Sequence, residues 1–396
     1  MSNSVTDQHP ILDAAVELGP QIRAARAEIE ETRRLPSQIV DAMKRAGIFG
    51  MAMPREWGGP ELDPLTQLRI IEALSAADAS VGWCAMIGCD SGYFTAFLDQ
   101  RVAREMYPDI SESTASSTAL TGRAVRVAGG YRVSGRWPFA SGCHHAAWLV
   151  GNCVVYADGA QLVRPNGAPE TRMCFLMPAD CKILDTWHTT GMRGSGSADF
   201  SVEDCFVPEE RTFSFQELAI KRQGALYSFP FAFLLKAAAP ATGLARETID
   251  AFVATAAPKG SRQTIIGGKL AQPRLLRDEP FVQSAVGKAE ALLDSARSYL
   301  FDVVGEFWDL MVTGKRLGPR QAVRFNLVST HVYSACTEAV QLIYRARGGS
   351  AVFTNAMFDR FLRDAITMNQ HVLNSLKNYE RAGRLLLGAE SEEFLI

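Results

Sequence analysis

The sequence predicts an α+β fold in which one helical region precedes a small β domain and a second helical region follows it. Apolar residues recur at three- and four-residue steps before about residue 112 and again after residue 213, which is typical of amphipathic helices. Between these regions, short β-branched and aromatic runs alternate with turn residues, which is typical of strands. We therefore predict three domains: an all-α domain (1–112), a β domain of antiparallel strands (113–213) and a helical bundle (214–396).

The first helical region contains four predicted helices. Each begins or ends at a residue that favours a helix boundary, such as the Leu35-Pro36-Ser37 start and the Gly47 stop of the second helix. A loop rich in glycine and proline at residues 54–60 separates the first pair from the second. The predicted helices span residues 14–29, 35–47, 64–77 and 80–98.

Within the β domain, a bend at residues 135–148 joins two strand-like runs. Such a bend presents backbone amides and a hydroxyl to a flat ligand. Trp137 and Phe139 are suited to cover a ring, Ser141 to form a hydrogen bond, and Gly142 to allow close approach. An ordinary turn with core aromatic residues explains the same stretch, so both interpretations stay open at this point.

The second helical region contains long amphipathic segments in succession. Four such segments, with no repeat or low-complexity tract between them, predict a four-helix bundle. The predicted helices span residues 228–256, 281–313, 320–347 and 357–387.

The composition excludes several classes of function. The net charge of −2 over 396 residues gives no reason to expect binding to nucleic acid or to an anionic membrane surface. The chain has no signal sequence and no stretch of about eighteen apolar residues, so we expect a cytoplasmic protein without membrane attachment. Its eight cysteines form no Cys-x-x-Cys pair, and we predict no metal site.

The domain order and several short motifs resemble the acyl-CoA dehydrogenase superfamily of flavoproteins over nearly the whole chain. Each motif alone is weak, but their order and spacing together are specific. The resemblance implies an N-terminal α-helical domain, a middle antiparallel β-barrel domain and a C-terminal four-helix bundle. The motifs lie at residues 35–36, 46–47, 54–59, 78–80, 135–148, 191–197, 207–208, 348–349 and 360–364.

The same resemblance implies a flavin site around Ser141. This serine takes the place of the family's threonine that hydrogen-bonds the N5 edge of the flavin, and Phe139 takes the place of a tryptophan. Gly142 follows at the point of close approach. The other flavin contacts that the resemblance implies, near the phosphates and the tail of the cofactor, are Arg262, Gln283, Gly348 and Gly349. Whether the cofactor is FMN or FAD stays open.

A dehydrogenase of this superfamily needs a carboxylate base, which comes from one of two places in the C-terminal region. The sequence has no Asp or Glu between Asp364 and Glu380, and none between Glu217 and Glu247. A neutral residue in place of the base forfeits a rate factor of roughly a hundred to ten thousand. The sequence therefore disfavours acyl-CoA dehydrogenation.

The segment that ends at His371 resembles another branch of the superfamily, the oxygenase components of two-component flavin-dependent monooxygenases. This resemblance implies that a separate NAD(P)H-dependent reductase supplies reduced flavin, FMN or FAD. Oxygen then adds to give a C4a-hydroperoxyflavin, which hydroxylates an apolar, aromatic or phenolic substrate. Ser141 stabilises the adduct, and His371 either takes the phenol proton or holds the proton that the distal oxygen needs. His145 is a further catalytic candidate, favoured over His144.

Trp83 and Asp90 are the predicted substrate-pocket residues, on the helix that follows Asp78-Ala79-Ser80. Two alternative functions stay open at this stage. One is an acyl-CoA dehydrogenase or oxidase with a non-standard base, and the other is an inactive scaffold with a flavoprotein fold. The resemblance also implies a homotetramer.

Overall fold

The computed structural model describes residues 9–217, 219–256, 265–266, 269–270 and 275–389. The chain divides into two compact units. The first comprises residues 1–189, 193–237 and 305–316, and the second comprises residues 190–192, 238–304 and 317–396. The predicted division into three domains stays a prediction.

The first unit begins with seven helices in its described part, and aspartates cap two of the central ones. Asp63 accepts from the Leu65 and Thr66 N–H groups, and Asp78 accepts from those of Ser80 and Val81. The predicted first and fourth helices are each interrupted, at Leu18 and Cys89. The helices are α1 (Pro10–Glu17), α2 (Gly19–Thr32), α3 (Ser37–Arg45), α4 (Pro64–Ala77), α5 (Ala79–Gly88), α6 (Asp90–Phe94) and α7 (Gln100–Met106).

The strands of the first unit form one mixed sheet in the order β6-β7-β2-β1-β3-β5-β8, with β4 paired to β3. The prediction that the strands of the β domain are all antiparallel is wrong, because β1 and β3 run parallel. A hairpin brings β2 back along one edge of β1, and the bend after β2 carries the chain across to the other edge. Closure into a barrel stays a prediction. The strands are β1 (Thr114–Val127), β2 (Gly130–Trp137), β3 (Trp148–Ala157), β4 (Ala160–Gln161), β5 (Thr171–Leu176), β6 (Lys182–Leu184), β7 (Asp199–Pro208) and β8 (Thr212–Phe213).

Trp137, at the end of β2, is a core residue of this sheet. Its side chain is fully buried and stacks on Phe200 with ring centroids 4.9 Å apart. A Cβ atom would lie 2.3–2.8 Å from the Trp137 ring at three glycines, Gly122, Gly135 and Gly151. These strands therefore need glycine where they enclose the indole. The prediction that Trp137 covers a ligand ring is wrong, because the indole of Trp137 is itself fully buried in the core of the sheet.

The second unit is helical. Its helix α10 packs against α8, α11 and α12, and Arg246 on α8 forms an ion pair with Glu290 on α9 at 2.6 Å. The predicted long last helix is wrong: it ends at Met368, whose carbonyl accepts from the Asn374 side chain. The bundle stays a prediction. The elements are α8 (Ala239–Ala256), β9 (Ile265–Ile266), β10 (Lys269–Leu270), α9 (Pro280–Thr313), α10 (Pro319–Arg347), α11 (Met357–Met368) and α12 (Lys377–Leu386), with α9 extending into the first unit.

A membrane-spanning helix needs about 20 mostly apolar residues. No helix in the described ranges is both long and apolar enough to cross a membrane.

Candidate active site

The bend between β2 and β3 is held against the loop that precedes β7. The Ala140 N–H donates to the Ala198 carbonyl at 3.1 Å, and the Gly142 N–H donates to the Ser195 carbonyl at 2.9 Å. Phe139 has a left-handed backbone with φ of 63°, which is uncommon for a bulky side chain. Its side chain is 68% exposed within the described residues. The bend therefore presents the Phe139 ring outward from a backbone that is held by strand pairing before it and by two hydrogen bonds after it.

Behind this bend, three serine hydroxyls and one indole form a buried hydrogen-bonded chain. Trp83 Nε1 donates to Ser141 Oγ at 2.9 Å. Ser141 Oγ lies 2.7 Å from Ser197 Oγ, which in turn lies 2.7 Å from Ser195 Oγ. All four side chains are buried. We call Ser141, Ser197 and Ser195 the serine relay.

The relay allows Ser141 two hydrogen-bonding states. A hydroxyl has one hydrogen to donate and can accept two hydrogen bonds, and Trp83 already occupies one acceptor position of Ser141. If Ser197 donates to Ser141, then Ser141 keeps its own hydrogen for a ligand. If Ser141 donates to Ser197 instead, it keeps an acceptor position for a ligand. Rotation of the relay hydroxyls therefore changes Ser141 between donor and acceptor without moving a heavy atom.

Local packing explains how Trp83 reaches Ser141. The Asp78 cap begins α5, and a Cβ atom on Gly82 would lie 1.8 Å from Ser75 Oγ, so α5 packs closely on α4. On the loop that precedes β7, a Cβ atom on Gly194 would lie 2.0 Å from an Ile29 methyl group and 3.0 Å from Ser80 Cβ, so this loop packs closely on the start of α5. Small residues at both places thus bring the helix and the relay loop within hydrogen-bonding distance.

His145 lies next to this bend. Its ring packs on Phe49 with centroids 5.7 Å apart, and its Nε2 would be 3.1 Å from a Cβ atom on Gly142. Burial, followed by the charges of His144 and Lys44, lowers the pKa of His145 to about 4. His145 is therefore neutral at pH 7. His144 is exposed, and both the choice between the two histidines and a catalytic role for His145 stay predictions.

His371 lies in the second unit, after α11. Its Nδ1 accepts from the Leu373 N–H at 3.3 Å and so caps the short 3₁₀ turn Val372–Asn374. Burial lowers the pKa of the His371 imidazole to about 4, so the ring is neutral at pH 7. A neutral imidazole that accepts at Nδ1 carries its proton on Nε2. This geometry favours His371 as a hydrogen-bond donor through Nε2 over His371 as a base.

The predicted contacts to the cofactor tail stay predictions. Gln283 is exposed and its side chain donates to the Arg277 carbonyl at 2.9 Å. Gly348 ends α10 with φ of 69°, and a Cβ atom on Gly348 or Gly349 would meet no described atom within 4 Å. Arg262 lies outside the described residues.

The predicted pocket residue Asp90 has a partner that the sequence reasoning missed. Lys236 Nζ donates to Asp90 Oδ1 at 2.5 Å, and both side chains are at most 5% exposed. Burial raises the pKa of Asp90 to about 6, although the Lys236 ammonium acts in the opposite direction. The sequence contains one signal for this partner, a single lysine within the apolar run of residues 229–241. Because an unpaired charge is rarely buried, a lysine in such a run indicates a buried acidic partner.

Two family models match this chain on either side of the sheet. The N-terminal domain of acyl-CoA dehydrogenase matches residues 8–105, and the C-terminal domain of acyl-CoA dehydrogenase matches residues 235–376. Together they cover most of the helical sequence.

Known relatives match the chain over nearly its full length. The chain is 29% identical to the oxygenase subunit HsaA of a flavin-dependent monooxygenase from Mycobacterium tuberculosis, covering 93% of this chain and 92% of that protein. It is 27% identical to indole-3-acetate monooxygenase from Pseudomonas putida, covering 96% and 94%. Among solved structures, the 3-HSA hydroxylase from Rhodococcus sp. RHA1 superimposes with a TM-score of 0.88 at 25% identity, covering 98% of this chain and all of that one.

Proposed function

This chain belongs to the acyl-CoA dehydrogenase family, and we propose that it is the oxygenase component of a two-component flavin-dependent monooxygenase that hydroxylates an aromatic or phenolic substrate. The observation that carries the proposal is the serine relay, which provides one buried hydroxyl suited to a flavin edge. The two carboxylate positions that dehydrogenation requires hold no acidic residue, which argues against acyl-CoA oxidation.

The side chains near Ser141 fit a reduced flavin, as FMN or FAD. When bound, this cofactor supplies the activation of O2 that allows one oxygen atom to pass to the substrate. Ser141 would contact its N5 edge, where the relay lets the hydroxyl match either a donor or an acceptor. The exposed Phe139 ring and Gly142 would lie beside the flavin ring system, while Arg262 would contact its phosphates.

His371 would hold the proton that oxygen transfer requires. Its capping hydrogen bond fixes the proton on Nε2, and its lowered pKa keeps the ring neutral in the working range of pH. A neutral imidazole can donate a hydrogen bond from Nε2 to the oxygen that receives the proton, while solvent or substrate supplies the proton itself. His145 would contribute a second neutral imidazole beside the bend.

The proposal includes two partners. The relative HsaA is named as an oxygenase subunit, which supports a separate NAD(P)H-dependent flavin reductase for this chain. We also propose a homotetramer, with the tail of the flavin near Gln283, Gly348 and Gly349 of a neighbouring subunit, on the basis of the family resemblance.

Isotopic labelling tests the proposed reaction. The full chain is supplied with a flavin reductase, NADH, flavin and ¹⁸O₂, together with a set of phenols and indoles. We expect a hydroxylated product that carries a single labelled oxygen atom. Consumption of O2 with release of peroxide only, across the whole set, would contradict the proposal.

Two variants of His371 separate hydrogen-bond donation by Nε2 from capping by Nδ1. Asn in place of His371 retains an acceptor for the Leu373 N–H, whereas Ala removes it. We expect both H371A and H371N to lower product yield roughly a hundredfold and to release peroxide, because neither retains the imidazole Nε2–H that would hydrogen-bond the reacting oxygen. Flavin binding, measured by fluorescence, should be unchanged. A wild-type yield in H371N would show that the histidine serves only as a cap.

A further inference from the structure

A three-residue segment leads directly into the serine relay. Residues 190–192 belong to the second compact unit, although the residues on both sides of them belong to the first. We call residues 190–192 the anchor segment and residues 193–198 the relay loop, which contains Ser195 and Ser197. The contacts that hold the anchor segment therefore determine where the relay loop begins.

Helix α11 holds the anchor segment. The Met192 N–H donates to Asp364 Oδ1 at 2.5 Å, and the Arg363 guanidinium donates to the Thr190 carbonyl. Between these two contacts, a Cβ atom on Gly191 would lie 2.1 Å from the Arg363 carbonyl oxygen. Glycine at this position thus allows the anchor segment to pack directly on the backbone of α11.

Met192 has a left-handed backbone, with φ of 54°. This conformation is an outlier for a bulky residue and persists only where the surroundings impose it. Asp364 provides such a constraint, because its side chain is buried and its Oδ2 lies 3.6 Å from Arg360 Nε. A buried carboxylate that an arginine holds in place fixes the direction of the Met192 N–H.

The φ of Met192 sets the direction in which the chain enters the relay loop. Ser195 and Ser197 follow in that loop, and their hydroxyl oxygens lie 2.7 Å apart. Ser197 Oγ also lies 2.7 Å from Ser141 Oγ. A negative φ at Met192 would turn the relay loop away from these positions, since rotation about one backbone bond redirects every residue that follows it.

From these contacts we propose that Asp364 is a positioning residue for Ser141. By accepting from the Met192 N–H, Asp364 keeps Met192 left-handed and holds Ser197 where it hydrogen-bonds Ser141. The proposal rests on the proposed function, because that function gives Ser141 its contact with the flavin. It goes beyond that function by assigning a residue that acts on Ser141 through the relay loop.

Hydrogen exchange followed by mass spectrometry tests this proposal in the full chain without flavin. The Gly142 N–H donates to the Ser195 carbonyl, so its exchange reports on the relay loop. We expect exchange at the bend (residues 138–145) to be at least about tenfold faster in D364A, as loss of a hydrogen bond to a charged group implies. D364N should match the wild type, because its amide oxygen still accepts from Met192. Wild-type exchange in folded D364A would overturn the proposal.

D63A is the matched control for D364A. Asp63 also accepts from backbone N–H groups, those of Leu65 and Thr66, but at the start of α4. D63A should lower the urea concentration at the midpoint of unfolding and keep exchange at the bend within about twofold of the wild type. Equal acceleration in D63A and D364A would overturn the proposal, because general destabilisation would then explain both.

Glycine at position 192 separates positioning from stability. Glycine adopts positive φ about as readily as negative φ, so M192G/D364A can take the left-handed conformation without Asp364. It also loses a buried side chain and should unfold at a lower urea concentration than D364A. We nevertheless expect its exchange at the bend to return to within about threefold of the wild type. Exchange as fast as in D364A would contradict the positioning role.

M192P breaks the same hydrogen bond from its other end. Proline has no N–H and fixes φ at about −65°, so it removes both the contact with Asp364 and the left-handed conformation. Exchange at the bend should accelerate as in D364A. Wild-type exchange in M192P would overturn the proposal even if D364A did not fold.

The flavin reaction distinguishes failure of this proposal from failure of the proposed function. When O2 is added to protein with reduced flavin, D364A should shorten the delay before oxidised flavin appears about threefold to tenfold, and M192G/D364A should restore it. A wild-type delay in D364A would overturn the role of Asp364 in positioning Ser141. Absence of a delay in the wild-type protein would instead reject the proposed function, while the exchange measurements would still decide whether Asp364 holds the relay loop.

Discussion

Replacing Lys236 alone with methionine should lower the free energy of unfolding by about 3–5 kcal/mol, because it leaves the Asp90 carboxylate buried without its partner. The double variant D90L/K236M should recover most of this loss, since apolar side chains of similar volume replace a buried pair at little cost. Urea denaturation followed by circular dichroism measures both values. The order of stability is therefore wild type, then the double variant close to it, then K236M.

Lys44 provides the control for this prediction. It forms an ion pair with Glu112 at 2.7 Å, but both side chains are 25–29% exposed. Partly solvated pairs contribute about 0–1 kcal/mol, so K44M should change stability far less than K236M. Equal effects of K44M and K236M would show that burial of the Asp90 pair has no special energetic role.

Replacing Ser141 with alanine should shorten the life of the oxygen-activated state about tenfold to a hundredfold, because a hydrogen bond to a charged or polarised group is worth about 1.5–3 kcal/mol. In a stopped-flow instrument, this appears as a shorter lag before the spectrum of oxidised flavin returns. S197A should shorten the lag less, because Ser141 remains but its hydroxyl loses the relay partner 2.7 Å away.

Ser75 gives a matched control for these two variants. It is also a buried serine of the first unit, yet its hydroxyl has no hydrogen-bond partner in the described part of the chain. S75A should therefore keep the wild-type lag. If S141A bound reduced flavin with normal affinity and kept the full lag, the assignment of Ser141 to the flavin edge would be wrong.

Local sequence signals predicted α3, α4 and the position of the bend well, whereas the predicted helix over residues 228–256 begins only at Ala239. Helices α3 and α4 have clear start and stop residues, and each lies within two residues of its predicted bounds. The residues that start and stop a helix lie next to it in the sequence, so these bounds can be predicted without the fold. The resemblance to the acyl-CoA dehydrogenase superfamily and the prediction of a flavin-dependent monooxygenase are confirmed by the comparisons with known proteins.

The incorrect predictions concern contacts between distant parts of the chain. The parallel pairing of β1 and β3 depends on which edge of β1 the bend reaches, and alternation of apolar residues does not encode this. Trp137 is an aromatic residue of the kind that contacts ligands, but glycines on three neighbouring strands, β1, β2 and β3, enclose it. The end of α11 at Met368 is a local exception, since the Asn374 side chain that hydrogen-bonds the Met368 carbonyl lies only six positions away.

The parts of the candidate site that sequence reasoning missed are also long-range. Trp83 and Ser141 are separated by 58 positions, and Asp90 and Lys236 by 146. A lysine in an apolar run indicates that a buried partner exists, but it does not identify that partner. Ser195 and Ser197 stood within a recognised glycine-serine run, whereas their hydrogen bonds to one another and to Ser141 required the fold.

The most direct test of the central claim is the reaction of reduced flavin with oxygen on the wild-type protein. The full chain is mixed anaerobically with reduced FMN or FAD, and oxygen is then added without any substrate. The account predicts a lag, measured in seconds or longer, before the absorbance of oxidised flavin returns. Return at the rate of free flavin, together with anaerobic bleaching of protein-bound oxidised flavin by an acyl-CoA, would contradict a monooxygenase and indicate a dehydrogenase.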